Sequence, residues 1–502
     1  MKQLEADLVV VGGGMSGLSA ATAAAEKGMS VIVLEKGSTT GGAANMGMGF
    51  FAVGSERQKD AMYTYSVDEA FEDFMTYTHW MPDARLVKRI FELSAGTVKW
   101  VEDMGVEFLG AYKYFMESKA TWHIVKAPGS NKPTQRCASL MVKAMTDRAI
   151  ELGVDFQFNT SVKELIMEDG YAAGAIAVAD DGGELEVLGN AVIVGTGGFG
   201  NNVDMIKEHL GFEWGKDIFT FRIPGIDGDG MKMVWDAGGG KTAVNMEITY
   251  NTPGLTDIYA TISETMRQPN MMVNLDGVRF LNEEVMMNTT FTGNAIMRQK
   301  GRCGFTIIDD DIMEFYRESD LDFTTYHHAI RSVERWDKEV DAFLKGEIVE
   351  SDGLAALHED KDYQTNFWVC GSVEEVAEMT GIDLANLKLT IDKYNSMEGR
   401  PDEEFGKPAK YMRGLKGGKY YVMRHFPSGY GSLGGIKTNH NMQVLTPDGV
   451  KVPGLFACGT DACSIFGDSY CFIMPGSTMG FAINSGRIAG YEAAKYIEEE
   501  FE

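Results

Sequence analysis

The sequence predicts an α/β protein built on parallel β-strands, and two observations favour this class. Residues 8–11 (L-V-V-V), 31–34 (V-I-V-L) and 191–194 (A-V-I-V) are short continuous apolar runs, typical of strands buried on both faces of a sheet. Glycine supplies 59 of the 502 residues, about 12% against a usual fraction of about 7%. Because glycine permits unusual backbone angles, this excess predicts many tight turns and close approaches of the backbone to a ligand.

The charge and hydropathy of the chain argue against several kinds of partner. The 46 lysines and arginines against 73 aspartates and glutamates give a net charge of −27. Nucleic acid and anionic membrane surfaces are therefore not expected partners. No apolar run reaches the roughly 18 residues that a membrane-spanning helix needs. Residues 1–7 show no basic segment followed by an apolar one, so we expect a cytoplasmic protein.

The cysteines and histidines predict no metal centre. The six cysteines, at positions 137, 303, 370, 458, 463 and 471, include no C-x-x-C pair, so the ligands of iron–sulfur clusters and c-type haem are missing. Of the eight histidines, His327 and His328 are the adjacent pair. No acidic ligand accompanies them at a fixed spacing, and zinc is not expected either.

A dinucleotide-binding motif occupies the first strand–turn–helix unit. The turn at residues 12–17 reads G-G-G-M-S-G, and its glycines let the backbone approach a pyrophosphate at the N-terminus of the next helix. Glu35 ends the second strand 18 residues after Gly17, where an acid can bind a ribose 2′-hydroxyl. The residues assigned to the dinucleotide in this unit are Gly12, Gly14, Met15, Ser16, Gly17, Glu35 and Lys36.

Further glycine-rich segments favour FAD over a nicotinamide dinucleotide. A second loop, at residues 39–49, follows Glu35 at once and offers the long track of backbone that FAD needs. A turn at 196–198 (T-G-G) follows the strand at 191–194, and residues 476–480 (G-S-T-M-G) open a helix. The N-terminus of a helix directed at a flavin stabilises negative charge on the reduced ring.

Motifs spread over nearly the whole chain resemble one family. They are the N-terminal fingerprint, T-G-G-F at 196–199, G-D-G at 228–230, N-L-D-G-V-R-F-L-N-E at 274–283, G-G-I at 434–436 and P-G-L-F-A-C-G at 453–459. The sequence resembles the fumarate reductase/succinate dehydrogenase flavoprotein superfamily, which includes 3-ketosteroid dehydrogenases. The resemblance implies a Rossmann-like FAD-binding domain in two pieces, residues 1–245 and 431–502, with an inserted α+β capping domain at 246–430.

The resemblance also implies a reaction and further FAD contacts. The reaction is hydride transfer between flavin N5 and a carbon of a polarised C=C bond. Membrane-bound members attach FAD through a histidine in the loop after the acid. Residues 38–51 contain no histidine, so FAD is expected to bind non-covalently. The further residues assigned to FAD are Gly41, Gly42, Ala43, Val162, Thr196, Gly197, Gly198, Asp229, Gly459, Thr460, Asp461, Ser477, Thr478 and Met479.

At the family's substrate site the sequence both matches and departs from the pattern. Glu264 and Arg267 match the family's proton-delivery residues, whereas Asn288 stands where the family has the arginine that protonates fumarate. The positions of the carboxylate-binding histidine, its partner threonine, a second histidine and the clamping arginine hold Asn251, Ser263, Gly431 and Ile473. Because a dicarboxylate needs paired cations in a closed site, fumarate and succinate are poor candidate substrates.

The replacements predict a pocket for an uncharged, aromatic or polycyclic substrate such as an isoflavonoid. Phe472 and Ile473 lie in an apolar segment, and the 31 methionines and 11% aromatic residues suit an adaptable apolar pocket. His123 is a further candidate for substrate contact. With Asn288 in place of the arginine, the terminal proton donor would be Tyr430 or Tyr470, or Arg267 through water.

Three functions remain open at this point. The first is a reductase that saturates a double bond or removes a hydroxyl group reductively. The second is a dehydrogenase of the ketosteroid type, and the third is a flavin-binding redox subunit or sensor without catalysis. Since haem and iron–sulfur ligands are missing, the reductase would take electrons from a diffusible donor: NAD(P)H, reduced flavin or a flavodoxin-like protein.

Overall fold

The computed structural model describes residues 2–132, 135–253, 255, 258–324, 330–347 and 366–501. His327 and His328 lie outside these residues. The chain divides into two compact units: the first comprises Met1–Gly211, Thr220–Glu247 and Tyr430–Glu502, and the second comprises Phe212–Phe219 and Ile248–Gly429. The second unit therefore includes residues 212–219, which the sequence analysis placed with the FAD-binding domain.

The strands and helices follow one another along the chain without long breaks. The strands are β1 (Lys2–Val11), β2 (Val31–Leu34), β3 (Gly49–Phe51), β4 (Phe108–Tyr112), β5 (Trp122–Val125), β6 (Asp155–Gln157), β7 (Thr160–Glu168), β8 (Tyr171–Ala179), β9 (Glu184–Val194), β10 (Phe219–Thr220), β11 (Asn245–Asn251), β12 (Met272–Val273), β13 (Gly304–Asp309), β14 (Phe367–Cys370), β15 (Tyr420–Gly435), β16 (Gln443–Leu445), β17 (Lys451–Ala457) and β18 (Ala462–Cys463). The helices are α1 (Met15–Ala25), α2 (Glu56–Asp60), α3 (Val67–Tyr77), α4 (Ala84–Asp103), α5 (Ala138–Glu151), α6 (Val203–Leu210), α7 (Asp229–Asp236), α8 (Ala260–Met266), α9 (Thr289–Ile296), α10 (Asp310–Glu318), α11 (Trp336–Lys345), α12 (Val373–Thr380), α13 (Leu384–Ser396) and α14 (Ser477–Phe501).

The first unit is built on a mixed sheet with the order β16-β17-β9-β1-β2-β6, to which β8 and β7 are added beside β9. The three apolar runs predicted as strands lie side by side and parallel in it, with Leu8 paired to both Val31 and Ala191. All residues of β2 and the last four of both β1 and β9 are buried, as continuous apolar runs predict. The predicted α/β class is confirmed.

Helix α1 packs against α14 at very short range. Every residue of α1 is buried. A Cβ added to Gly486 would lie 2.1 Å from the carbonyl oxygen of Ser16, so only glycine fits at this crossing. The first dinucleotide-binding helix is therefore held against the last helix of the chain.

The second unit is organised around the antiparallel strands β12, β13, β14 and β15. Its core is a buried apolar cluster that includes Phe305, Trp336 and Phe367. Within the described part of the chain, no helix has the length and apolar character needed to cross a membrane.

A buried ionic cluster explains the conserved-looking motif at 274–283. Arg279 Nη2 lies 2.6 Å from Glu283 Oε2 and 2.9 Å from Asp402 Oδ2. Lys407 Nζ lies 3.4 Å from the same Glu283 oxygen and donates a hydrogen bond to the Tyr394 hydroxyl. Burial lowers the pKa of Lys407 to about 8. Removing one partner from a buried ion pair typically costs about 3–5 kcal/mol, so this motif stabilises the second unit.

Candidate active site

The glycine turn of the first unit is shaped for close backbone approach. A Cβ on Gly17 would lie 1.9 Å from the carbonyl oxygen of Gly12, whereas a Cβ on Gly14 would meet no atom within 4 Å. The third glycine of the motif is thus required by packing inside the protein, and the second faces open space. Such a turn at the start of a helix suits a pyrophosphate.

Glu35 is held at the end of β2 by backbone donors of two loops. The Gly13 N–H donates to Glu35 Oε2 over 2.6 Å, and the Gly37 N–H donates to Oε1 over 2.5 Å. The carboxylate is therefore fixed beside the glycine turn, where it can accept hydrogen bonds from a ribose.

The second glycine-rich loop lies directly against the first. The Gly41 N–H donates to the carbonyl oxygen of Gly13 over 2.8 Å, and Gly14 and Gly41 form an isolated parallel bridge. Gly42 and Ala43 begin a short 3₁₀-helix, Gly42–Met46. Met479 packs on the end of this loop, since a Cβ on Gly47 would lie 2.3 Å from its methyl carbon.

Asp461 joins two other predicted segments within the same unit. Its carboxylate, fully buried, accepts hydrogen bonds from the Gly198 N–H at 2.8 Å and the Thr196 hydroxyl at 2.9 Å. Burial raises its pKa, and these donors oppose that effect. The carboxylate therefore ties the turn at 196–198, which includes Gly197, to the short helix Gly459–Asp461, which includes Thr460.

Two of the charged residues assigned to FAD are paired with each other. Lys36 Nζ lies 3.0 Å from Asp229 and 2.9 Å from Asp227. All three side chains are at least 31% exposed, so this network is accessible to water. Val162, also assigned to FAD, lies in β7, paired with Ala177 of β8.

An aromatic group, which we call the aromatic cluster, surrounds the segment before α14. It consists of Tyr114, Phe115, Trp122, Tyr470 and Phe472. The Phe472 ring lies 4.9 Å from that of Tyr114, 5.8 Å from Phe115 and 5.9 Å from Tyr470, and Tyr114 lies 5.9 Å from Trp122. These contacts build a continuous aromatic wall in the first unit.

The two positions next to this wall that the sequence analysis compared with cationic or imidazole residues carry no charge. Ile473 accepts a backbone hydrogen bond from the Lys119 N–H over 2.7 Å. The Lys119 ammonium itself pairs with Asp73 at 2.8 Å. A Cβ on Gly431 would have ordinary contact, 3.6 Å, with Thr460, so the histidine is missing although space for a side chain exists.

His123 does not present an imidazole nitrogen to a ligand in this structure. It is fully buried. Its Nδ1 lies 3.0 Å from the carbonyl oxygen of Thr121 and its Nε2 lies 2.6 Å from the Ser55 hydroxyl. Because a carbonyl only accepts, Nδ1 donates and Nε2 accepts from Ser55. Burial lowers the pKa of His123 to about 4, which keeps the ring neutral.

The predicted proton-delivery pair lies in the second unit. Glu264 is in α8, and Arg267 caps the C-terminal end of that helix, with Arg267 Nη1 3.8 Å from Glu264 Oε1. The Arg267 guanidinium also lies 4.6 Å from the centre of the Tyr250 ring and donates to the Tyr250 carbonyl oxygen. The structure thus brings the pair together in a buried setting. Ser263, on the same helix, is 1% exposed.

The two asparagines of the second unit make local backbone contacts. Asn288 is the N-cap of α9, where its side chain accepts from the Phe291 N–H over 3.2 Å. Asn251 ends β11 and accepts from the Thr252 N–H over 2.8 Å. Each asparagine therefore acts as a hydrogen-bonding group at the start or end of an element.

The tyrosines proposed as terminal donors differ in setting. Tyr430 is 45% exposed and its ring stacks on that of Phe221 at 5.0 Å. Tyr470 is 4% exposed, and burial raises its pKa far above the ordinary value. The hydroxyl of Tyr470 interacts with the side chains of Ser477 and Thr478 at the start of α14.

Sequence analysis missed a buried acid beside these residues. Glu247 of β11 is 6% exposed, and its Oε2 accepts from the Thr478 hydroxyl over 2.9 Å. Burial raises the pKa of Glu247 to about 8. The signal available from sequence was a single acid within the otherwise uncharged strand N-M-E-I-T-Y-N.

The parallel sheet, the paired glycine loops and the acid at the end of β2 define a dinucleotide-binding flavoprotein. The chain belongs to the FAD binding domain family, whose model matches residues 7–471, and it is an FAD-dependent oxidoreductase. It is 30% identical to the vinyl phenol reductase of Lactiplantibacillus plantarum over 98% of this chain and 97% of that protein. It is 26% identical to a fumarate reductase (cytochrome) of Shewanella frigidimarina over 98% of this chain and 78% of that one.

Solved structures confirm the fold. A 3-ketosteroid Δ4-(5α)-dehydrogenase from Rhodococcus jostii superposes with a TM-score of 0.73 over 98% of both chains, at 22% identity. A flavocytochrome c3 fumarate reductase superposes with a TM-score of 0.68 over 98% of this chain and 79% of that one, at 24% identity. The suspected superfamily is thereby confirmed.

We expect FAD to be held without a covalent bond. The loop at 38–51, which follows Glu35, contains no histidine to attach it. Acid precipitation of the purified protein should release all of the yellow colour into the supernatant, and mass spectrometry should identify intact FAD. Colour that stays with the pellet would contradict this expectation.

Proposed function

We propose that this protein is a reductase that saturates the C=C bond of an uncharged aromatic substrate. The aromatic cluster is the observation that carries the proposal. Five rings in continuous contact provide a large apolar surface with few rotatable bonds, and Ile473 and Gly431 beside it offer no cation for a carboxylate. Such a surface favours an uncharged ring system over a small dianion.

The relative at 30% identity supports this choice of substrate class. A vinyl phenol is aromatic, and it is neutral at pH 7 because a phenol has a pKa of about 10. We therefore take 4-vinylphenol as the first substrate to test. Larger polycyclic alkenes are the next candidates. No feature of the site favours a ketosteroid-type dehydrogenase over this function, since the likeness to that enzyme lies in the fold.

The residues of the chain divide the work in the proposed reaction. FAD, when bound, supplies a hydride from the flavin N5 position. The glycine turn and Glu35 hold the dinucleotide, and the aromatic cluster orients the substrate. Glu264 and Arg267 form a relay that conducts a proton toward the substrate. A diffusible carrier, such as NAD(P)H, reduced flavin or a flavodoxin-like protein, supplies the electrons.

An anaerobic comparison of substrates tests the proposal. The enzyme is reduced with dithionite, excess reductant is removed, and the recovery of the oxidised flavin band is followed after addition of 4-vinylphenol or of the saturated product 4-ethylphenol. We expect reoxidation by 4-vinylphenol alone. Equal behaviour of the two compounds would overturn the proposal.

Fumarate is expected to fail in the same assay. Asn251, Asn288, Gly431 and Ile473 stand where charged or imidazole contacts are expected, and each charge-assisted contact that is lost typically costs about 1.5–3 kcal/mol. Fumarate should therefore reoxidise the reduced enzyme far more slowly than about 1 s⁻¹, the lower end of ordinary turnover. The matched control is the fumarate-driven rate of a fumarate reductase under identical conditions. A rate above that limit for this protein would mean that other residues replace the missing contacts.

A further inference from the structure

The buried Glu247 has a use that the relay does not include. It lies in the first unit, together with the aromatic cluster and the start of α14. Its Oε2 accepts a hydrogen bond from Thr478, and among the described residues Oε1 has no hydrogen-bond partner. A carboxyl group buried with one oxygen uncommitted is costly unless it is protonated or meets a ligand.

The surroundings of Glu247 favour the protonated form. The titratable groups that interact with it are Tyr470 and Cys463, both of which become negative rather than positive on ionisation. Within the described residues no cationic side chain contributes to its environment. Desolvation then acts without compensation by a charge, and the pKa of about 8 leaves the group mainly neutral at pH 7.

Glu247 is connected to the proposed substrate surface through short contacts. Thr478 donates to Glu247 and also interacts with the Tyr470 hydroxyl, and the Tyr470 ring contacts Phe472 in the aromatic cluster. One hydrogen-bonded group therefore links the acid to the wall that we assign to the aromatic substrate. The route lies entirely within the first unit.

We propose that Glu247 is the general acid that gives the terminal proton to the substrate, in place of the arginine that Asn288 replaces. This inference rests on the proposed function. As the hydride supplied by the reduced flavin adds to one alkene carbon, the Glu247 O–H bond breaks and its proton adds to the neighbouring carbon. The C=C π bond is thereby replaced by two C–H bonds. The flavin is oxidised by two electrons, and Glu247 is left as a carboxylate that solvent reprotonates.

Two measurements on the FAD-loaded protein test the inference. The first needs no substrate: infrared difference spectra recorded while the pH is raised from about 6 to about 10, two units either side of the expected midpoint. The wild type should lose a protonated-carboxyl band with a midpoint near pH 8, and this loss should be absent from Glu247→Gln. The exposed Glu117→Gln should behave as the wild type. The same band change in Glu247→Gln would overturn the inference.

The second measurement is the rate of flavin reoxidation by 4-vinylphenol across the same pH range. In the wild type the rate should fall as the pH rises through about 8, because the acid must be protonated to react. Glu247→Gln should be slower by about 10²–10⁴-fold, the usual contribution of a general acid, and should lose this pH dependence. Glu247→Asp, which keeps an acid, should recover part of the rate. If Glu247→Gln retains the wild-type rate and pH profile, the inference is wrong.

The two measurements separate this inference from the proposed function. If wild-type protein fails to reduce 4-vinylphenol, the proposed function fails for that substrate, while the infrared titration still decides whether an acid at position 247 ionises near pH 8. If the variant Glu247→Gln binds no FAD, Glu247→Asp and the wild-type pH profile carry the test. A wild-type rate that does not fall above pH 8 would then overturn the inference.

Discussion

Gly17→Ala should abolish FAD binding. The added Cβ would lie 1.9 Å from the carbonyl oxygen of Gly12, and this oxygen belongs to backbone that cannot move without reshaping the glycine turn. Overpacking of this kind typically costs about 1–3 kcal/mol. A loss of about 1.4 kcal/mol already weakens binding tenfold. We expect purified Gly17→Ala to contain less than about a tenth of the wild-type FAD, as measured by flavin absorbance per protein and by fluorescence titration.

Gly14→Ala is the matched comparison for this prediction. Its backbone has φ −66°, which alanine adopts readily, and its Cβ would meet no atom within 4 Å. The apo form should therefore melt at the wild-type temperature, while FAD binds more weakly because the methyl group enters the space in front of the turn. Full FAD content in Gly17→Ala would contradict the position assigned to the pyrophosphate.

Arg267→Met should slow reoxidation by substrate at least about tenfold, a cautious bound below the usual 10²–10⁴-fold contribution of acid–base catalysis. Its FAD content and the reduction of its flavin should stay as in the wild type, because Arg267 lies in the second unit and the FAD-binding residues lie in the first. The measurement is stopped-flow flavin reoxidation by 4-vinylphenol under anaerobic conditions, with flavin reduction recorded separately.

A second arginine provides the control for Arg267→Met. Arg317 pairs with Glu314 at the same i,i+3 spacing, 3.2 Å apart, but both side chains are exposed. Arg317→Met should leave reoxidation unchanged, since an exposed pair of this kind is worth a few tenths of a kcal/mol. Normal turnover by Arg267→Met would show that no proton passes through the pair. Unfolding or loss of FAD in that variant would indicate a structural salt bridge instead.

Much of the first unit was predictable because its signals are local. Residues 8–11, 31–34 and 191–194 are apolar over their whole length, and the structure pairs them as neighbouring parallel strands. The G-x-G-x-x-G turn and Glu35 are adjacent because the turn follows β1 and the acid follows β2, its parallel neighbour. In such cases the order of elements along the chain determines which residues meet.

The rest of the candidate site depends on burial and on distant partners. Glu247 and Thr478 are separated by 231 positions, so no sequence spacing reveals their hydrogen bond. The neutral state of His123 follows from Ser55 and a backbone carbonyl that pack around it. Likewise, the sequence assigns no partner to Arg279, which the structure pairs with Asp402. Tertiary packing decides each of these roles, and a linear pattern carries no record of it.

The most direct test of the proposed function is a single turnover without oxygen. One equivalent of 4-vinylphenol is mixed with enzyme whose FAD has been fully reduced, and the product is identified by mass spectrometry as the flavin band returns. The proposed function predicts one 4-ethylphenol formed for each flavin reoxidised. Recovery of unchanged 4-vinylphenol with the flavin still reduced would contradict it.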